Sequence, residues 1–171
     1  MRTPLPLDRI VSPWRFGGPL ATAIRRLKFT GEHHIARTVA PLWAPLVAAA
    51  AGDDAVVVPV PLHWRRRWTR GYDHAWLLAL HACAMAKLPP PLPALRRLRA
   101  VPPQSTLAAP ERRANLQGVF AIVQRHAKRI AGRDVVLVDD VVTTGSTFAA
   151  ASEVLVAHGA RTVTGVALAR A

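Results

Sequence analysis

The sequence predicts an α/β fold, a mostly parallel sheet flanked by helices. Two observations carry that expectation. Short apolar, β-branched runs near 55–62, 119–123, 135–139 and 161–169 alternate with helix-like segments at 18–29, 34–52, 73–87 and 146–158. The strand-like runs are also continuous rather than alternating, as in "AVVVPVPL" and "VVLVD", which suits strands covered on both faces. A chain of 171 residues that is 51% hydrophobic can bury a sizeable core. It shows no internal repeat, so one domain over residues 1–171 is expected, with 1–45 as a helical extension or hood.

"GPLATAIRRLKF" (18–29) places apolar residues at 20, 24 and 27, one face of a short amphipathic helix. "HIARTVAPLWAPLVAAAAG" (34–52) reads as a helix that Pro41 and Pro45 should kink or interrupt, stopping at Gly52. "AVVVPVPL" (55–62) predicts a buried strand ending by Val60, because proline is unwelcome inside a sheet. "DHAWLLALHACAMAK" (73–87) predicts a helix with Asp73 as its N-cap and Trp76, Leu77, Leu80 and Ala84 sharing a face. After the proline break "LPPPLP", a short strand is expected within 94–100, then a long polar segment over 101–118 of the kind that often forms a lid. A strand at 119–123, a basic connector, the strand "VVLVD", a helix over 146–158 with "HGA" as its stop, and a last strand "RTVTGVALA" complete the pattern.

Charge narrows the partners. Lys and Arg number 23 against 10 acids, a formal net charge of +13, and Lys occurs only at 28, 87 and 128. Such an excess favours polyanions, either phosphorylated small molecules or nucleic acid. Arg-rich codon usage would explain Arg over Lys but not the shortage of acids. No apolar run approaches the ~20 residues that cross a bilayer, and "MRTPLPLDRIV" lacks the apolar core of a signal peptide, so a cytoplasmic protein is expected. The lone Cys83 can neither close an internal disulfide nor anchor a Cys-rich zinc site, and core packing is its expected role. His33 and His34 lack a third ligand at suggestive spacing and read as surface residues.

Residues 135–147, "VVLVDDVVTTGST", carry the chemistry. In parallel sheets ligands bind at the carboxyl ends of strands, where Asp139 and Asp140 are expected. Beyond them Thr143, Thr144, Gly145, Ser146 and Thr147 open a helix. Unpaired N–H groups, the positive end of the helix dipole and four hydroxyls make a phosphate cradle there. The acids, as acceptors, suit the hydroxyls of a sugar attached to that phosphate. A strand ending in acids also fits the magnesium-holding strand of P-loop nucleotide hydrolases, but the chain has no Gly-Lys pair, which that loop requires, and no G-x-G-x-x-G.

That stretch resembles the phosphoribosyl-pyrophosphate motif of type I phosphoribosyltransferases. The wider chain, from about residue 20 to 171, resembles the ComF/GntX family. The likeness rests on "VVVPVPLHWRRRWTRGYDHAWLLA" (56–79), "RLRAVPPQSTLAAPERRANLQGVF" (97–120) and the ending "GVALARA". Two segments depart from that family's pattern. Its segment RGFNQ is here Arg70-Gly71-Tyr72-Asp73-His74, and Val101 stands where a Thr commonly precedes the Gln. The cysteines of the zinc ribbon found in many members are absent.

The resemblance implies a type I phosphoribosyltransferase-like, Rossmann-like fold and phosphoribosyl diphosphate as ligand. As a glycosyltransferase the chain would displace pyrophosphate from C1 of the ribose with a nitrogenous acceptor. Asp139 and Asp140 would hold the ribose hydroxyls and stabilise the cationic transition state, and Thr143 to Thr147 would bind the 5′-phosphate. Mg²⁺ would bridge the diphosphate and the ribose hydroxyls while keeping several waters, with no protein side chain as a direct ligand. Arg65 and Arg70, from the Arg-rich loop after the first strand, are the candidate pyrophosphate contacts. Gln104, Arg112, Arg113 and Asn115 are candidate lid residues, though the last three could equally cap a short helix. His63 could donate to phosphate or pack beneath the loop. The family's association with natural competence supports a second expectation, a DNA-uptake protein that binds single-stranded DNA and whose diphosphate site is regulatory or vestigial. Trp64 and Trp68 beside the Arg triplet would stack on bases in that case, and half-buried scaffolding is their plainer role.

Overall fold

The computed structural model describes residues 7–52, 54–63, 71–99, 116 and 118–171. In chain order the elements are β1 (Arg9–Val11), β2 (Trp14–Arg15), α1 (Gly18–Phe29), α2 (His34–Ala51), β3 (Val56–Pro59), α3 (His74–Met85), β4 (Leu95–Arg97), β5 (Phe120–Ile122), a 3₁₀ helix (Gln124–Arg129), β6 (Asp134–Val142), α4 (Ser146–Ala157) and β7 (Thr162–Arg170). The main sheet runs β1-β7-β6-β3 with β2 also on β7, and every pairing in it is parallel. β6 is central, with Val138 opposite Pro59 on one side and Val166 on the other. β4 and β5 form a separate antiparallel pair. This is the mostly parallel α/β architecture that the strand–helix alternation predicts, and it agrees with the type I phosphoribosyltransferase-like fold that the resemblance implies.

The core lies on both faces of the sheet. On one face Val57, Val136, Val138 and Val166 pack under α1, α2 and α3. On the other, Val58, Val135, Leu137 and Val163 pack against α4 and the β4–β5 pair. This two-sided burial is what the unbroken valine runs require.

Four expectations change. The segment 9–15 does not extend a helical hood, because it supplies β1 and β2. The side chain of Asp8 accepts a hydrogen bond from Val163 N (3.0 Å) and leads it onto the edge of β7. α2 is continuous through Pro41 and Pro45. The prolines are four apart on the exposed side, so the carbonyls of Arg37 and Pro41 that lose a donor can turn to water, while Trp43 is fully buried opposite them. α3 buries not the Trp76 side but His74, Ala75, Leu78, Ala79, Ala82 and Cys83. Its larger side chains lie on the partly covered face, and the small ones let it pack closely between α2 and the sheet. β6 does not stop at its first aspartate but runs on to Val142, so both acids are strand residues.

Candidate sugar-phosphate site

The site begins in the pleat of β6. Alternation along the strand puts Val136 and Val138 on one face and Val135 and Leu137 on the other, but it does not carry the two acids apart, because Asp139 and Asp140 each bring an oxygen within 4.8 Å of the other. Asp140 shares the face of Val136 and Val138, under the helices α1 and α3. Its Oδ2 lies 2.6 Å from Lys28 Nζ, at the end of α1, and 3.1 Å from His74 Nε2, at the start of α3. Its Oδ1 accepts a hydrogen bond from Val141 N (2.6 Å). The Asp140 side chain is 4% exposed and that of His74 6%, against 24% for Lys28, so the lysine is the outermost of the three. Asp139 is half-buried, and its Oδ1 accepts from Asp140 N (2.8 Å).

These surroundings separate the two acids chemically. Burial first, and then the negative charge of Asp140, raise the Asp139 carboxyl well above the usual carboxylate range. Burial would raise Asp140 too, but His74 and Lys28 outweigh it and hold that carboxyl below the usual range. Burial alone would lower His74, and the carboxylates of Asp140 and Asp139 reverse that and raise it.

The turn after β6 forms the second half. Gly145 is the N-cap of α4 with φ +78°, a left-handed conformation that side chains rarely adopt. A Cβ there would lie 2.9 Å from Ile10 Cδ1 of β1. Farther in, a Cβ on Gly165 of β7 would lie 2.8 Å from Phe148 Cδ1, so this glycine lets the first turn of α4 sit close on the sheet. The Thr144 and Ser146 hydroxyls are hydrogen-bonded to each other (2.8 Å). Thr143 and Thr144 are exposed, and Ser146 and Thr147 are half-buried. The first helical bond of α4 runs from Ala149 N to Gly145 O (2.9 Å). The N–H groups of Ser146, Thr147 and Phe148 therefore precede the helical ladder and face the end where an anion is favoured.

The segment that departs from the family pattern is built into the same place. The Tyr72 hydroxyl donates to Leu27 O, and its ring packs edge-on to His33 with centroids 4.2 Å apart. The Asp73 carboxylate accepts from Trp76 N (3.2 Å), capping α3 as expected, and from Leu62 N (3.0 Å), which ties the segment after β3 to the helix. His74 then reaches Asp140. Asp73 and His74 thus have defined work where the family usually carries amides.

Lys28 and His74 are the site residues that sequence reasoning missed as partners of the acids. Lys28 is one of three lysines in an Arg-dominated chain, which is a signal, but nothing local joins it to β6. His63 is buried and bridged to the strand at Arg97. Cys83 is buried in the core, and burial pushes its thiol up to about 11. Arg65 and Arg70, with Trp64 and Trp68, lie outside the described residues, as do Gln104, Arg112, Arg113 and Asn115.

The donor atoms of His74, Asp139 and Asp140 lie within 4.8 Å of one another, close enough to suggest a cation. The Lys28 ammonium already meets the Asp140 oxygen at 2.6 Å. A divalent ion held by this carboxylate would have to displace a salt-bridged lysine, so the trio does not fit as a protein-built magnesium cage.

Comparison with known proteins places the chain in a family. The family model described as phosphoribosyl transferase domain matches residues 88–171, which include β6, the turn and α4. The chain is 34% identical over 168 residues to the DNA utilization protein YhgH of Escherichia coli O157:H7, covering 95% of this chain and 72% of that protein. The Salmonella typhi protein of the same name matches to the same extent. Competence protein F of Haemophilus influenzae is 33% identical over 169 residues, covering 96% of this chain and 73% of that one. With identity at this level along nearly its whole length, the chain belongs to the ComF family of phosphoribosyltransferase-like proteins.

Proposed function

We propose that this protein binds phosphoribosyl diphosphate with Mg²⁺ and transfers the phosphoribosyl group to a nitrogenous acceptor. The observation that carries the reading is the junction of β6 and α4, where an acid pair in the central strand leads directly into a helix start opened by left-handed Gly145. The ribose hydroxyls meet the half-buried Asp139, while Asp140, buried on Lys28 and His74, adds its charge from behind, and the 5′-phosphate meets Thr143, Thr144, Gly145, Ser146 and Thr147. As positive charge develops on the sugar ring, the acids stabilise it electrostatically. Magnesium, when bound, neutralises the leaving diphosphate, and it is carried by ligand oxygens and water because the acid cluster is already occupied by Lys28. Arg65 and Arg70 remain proposed diphosphate contacts, and Gln104, Arg112, Arg113 and Asn115 remain proposed lid residues.

The test is thermal. Phosphoribosyl diphosphate with Mg²⁺ should raise the melting temperature of the wild type, because a ligand that binds only the folded state stabilises it. The Asp139→Asn, Asp140→Asn double variant should lose that rise, and a rise equal to the wild type's would refute the assigned site. Release of pyrophosphate from the same mixture with a pool of bases would identify the acceptor class.

A second reading, direct binding of single-stranded DNA, draws on the names DNA utilization protein and Competence protein F and on the net charge of +13. A shallow groove of about 360 Å³ beside Arg96, Gln124 and His158 adjoins the exposed cations Arg125, Lys128 and Arg129 of the 3₁₀ helix. Binding at this surface should weaken steeply with salt as condensed counterions are released, and salt-insensitive binding would count against it.

A further inference from the structure

We infer that Lys28 and His74 are positioning residues of the sugar site, which hold the Asp140 carboxylate as a fixed anion beside Asp139 and lock α1 and the start of α3 to the strand that carries both acids. The inference rests on the proposed reading that these acids face a phosphoribosyl ligand.

The geometry supplies the argument. Three elements that are distant in sequence meet at one carboxylate: α1 through Lys28 at 2.6 Å, α3 through His74 at 3.1 Å, and β6 itself through Val141 N at 2.6 Å. Both oxygens of Asp140 therefore have partners, and the side chain has no latitude to swing. Neighbouring carboxylates in a poorly solvated site tend to share a proton unless a cation offsets one of them. Lys28 is that cation, and His74 adds a second donor that becomes a second cation when protonated. With the cations on Asp140, any proton the pair retains sits on Asp139, and Asp140 stays a charged acceptor. Lys28 also has three N–H donors, and its side chain is more exposed than those of Asp140 and His74. The adjoining Tyr72 hydroxyl on Leu27 O fixes the same turn of α1 from its other side. The usual Gln at position 74 in this family could donate a hydrogen bond but could not supply charge, which makes His74→Gln an informative variant.

The experiment is titration calorimetry of the full chain with phosphoribosyl diphosphate and Mg²⁺, at a temperature where every variant is folded by circular dichroism. Lys28→Met should weaken binding by about tenfold or more, Lys28→Arg should recover most of the loss by restoring the charge, and His74→Gln should weaken binding less than Lys28→Met. A merely structural lysine would not give recovery of affinity that follows charge. If Lys28→Met and His74→Gln both bind within about twofold of wild type, the positioning role is overturned while the ligand assignment stands. An equal loss in Lys28→Arg and Lys28→Met overturns it as well. If Lys28→Met does not fold, Lys28→Arg and His74→Gln decide, and wild-type affinity in His74→Gln with loss in Lys28→Arg refutes the shared role. A wild type that does not bind at all overturns the ligand assignment and this inference together.

Discussion

β6 begins with an aspartate paired to a cation and carries another near its far end, and the two ends differ in what the pairing achieves. At the start, Asp134 takes a two-pronged contact from Arg161 (2.9 and 2.7 Å) and a hydroxyl hydrogen bond from Thr162 (2.6 Å), out in solvent. At the far end, Asp140 takes Lys28 and His74 under the helices. Water competes for every partner at the first site, so the pair there contributes little net stability even with good geometry. In the second, the charges could not be buried without one another. The more regular ion pair is therefore the dispensable one.

The largest expected effect follows directly. Asp140→Ala leaves Lys28 and His74 facing a buried gap and should cost about 3–5 kcal/mol in chemical denaturation. Replacing Lys28 as well, as Lys28→Met with Asp140→Leu, should recover part of that loss, because the only group then left without its partner is His74, which can stay neutral. A double variant less stable than Asp140→Ala would show that the pair contributes more than its own burial cost. The glycines beyond each end give a second, smaller contrast. Gly145 and Gly159 both have positive φ, so either alanine substitution should cost about 1 kcal/mol in backbone conformation. Only at Gly145 would the new methyl also run into a neighbour, Ile10 Cδ1 at 2.9 Å, whereas at Gly159 the nearest atoms are 3.4 Å away. Gly145→Ala should be the less stable of the two and should also lose the ligand-dependent rise in melting temperature. Equal melting temperatures would contradict the contact.

The same contrast explains what the sequence disclosed. The sheet was legible because unbroken valine runs at β3 and β6 can only be strands covered on both faces. The acids, the glycine and the hydroxyls were legible because they follow one another within a single strand and turn. What escaped is non-local. β1 and β2 are too short to show a period, and they are strands because β7 offers them an edge. α3 is apolar nearly all round, so periodicity could not say which side would meet α2. The division of labour between Asp139 and Asp140 depends on Lys28 and His74, which reach β6 only through the packing of α1 and α3. Even the substitution of His for the usual Gln at position 74 was visible as a departure, but its purpose needed Asp140 beside it.

Acid–base behaviour should separate the two ends by sign. The folded chain holds a proton on Asp139 more readily than the unfolded chain, because burial and then Asp140 raise that carboxyl above its ordinary 3.8. The contribution of this group to stability is therefore complete below that ordinary value and declines as pH rises toward the raised one. Asp139→Asn keeps an oxygen to accept the Asp140 N–H but removes the titration. The melting temperature of this variant relative to wild type should increase between about pH 4 and about pH 7, and a constant difference would refute the raised carboxyl. Asp134 runs the other way. Arg161 first, and then Thr162, lower it to about 2, so its contribution is present above the ordinary value and is lost as pH falls through the lowered one.

Arg161→Ala is the mildest test. It removes the two-pronged contact, but the Asp134 carboxylate keeps the Thr162 hydroxyl and gains water, and the side chains concerned are already 36% and 57% exposed. Its melting temperature at neutral pH should fall only slightly, and the fall should vanish in about 0.5 M salt, where the screening length is only a few ångströms. At pH values approaching 2, where the carboxylate itself becomes protonated, wild type and variant should converge. A large, salt-resistant loss in Arg161→Ala would mean that solvent does not screen the start of β6. The difference between its two ends would then have to come from something other than burial.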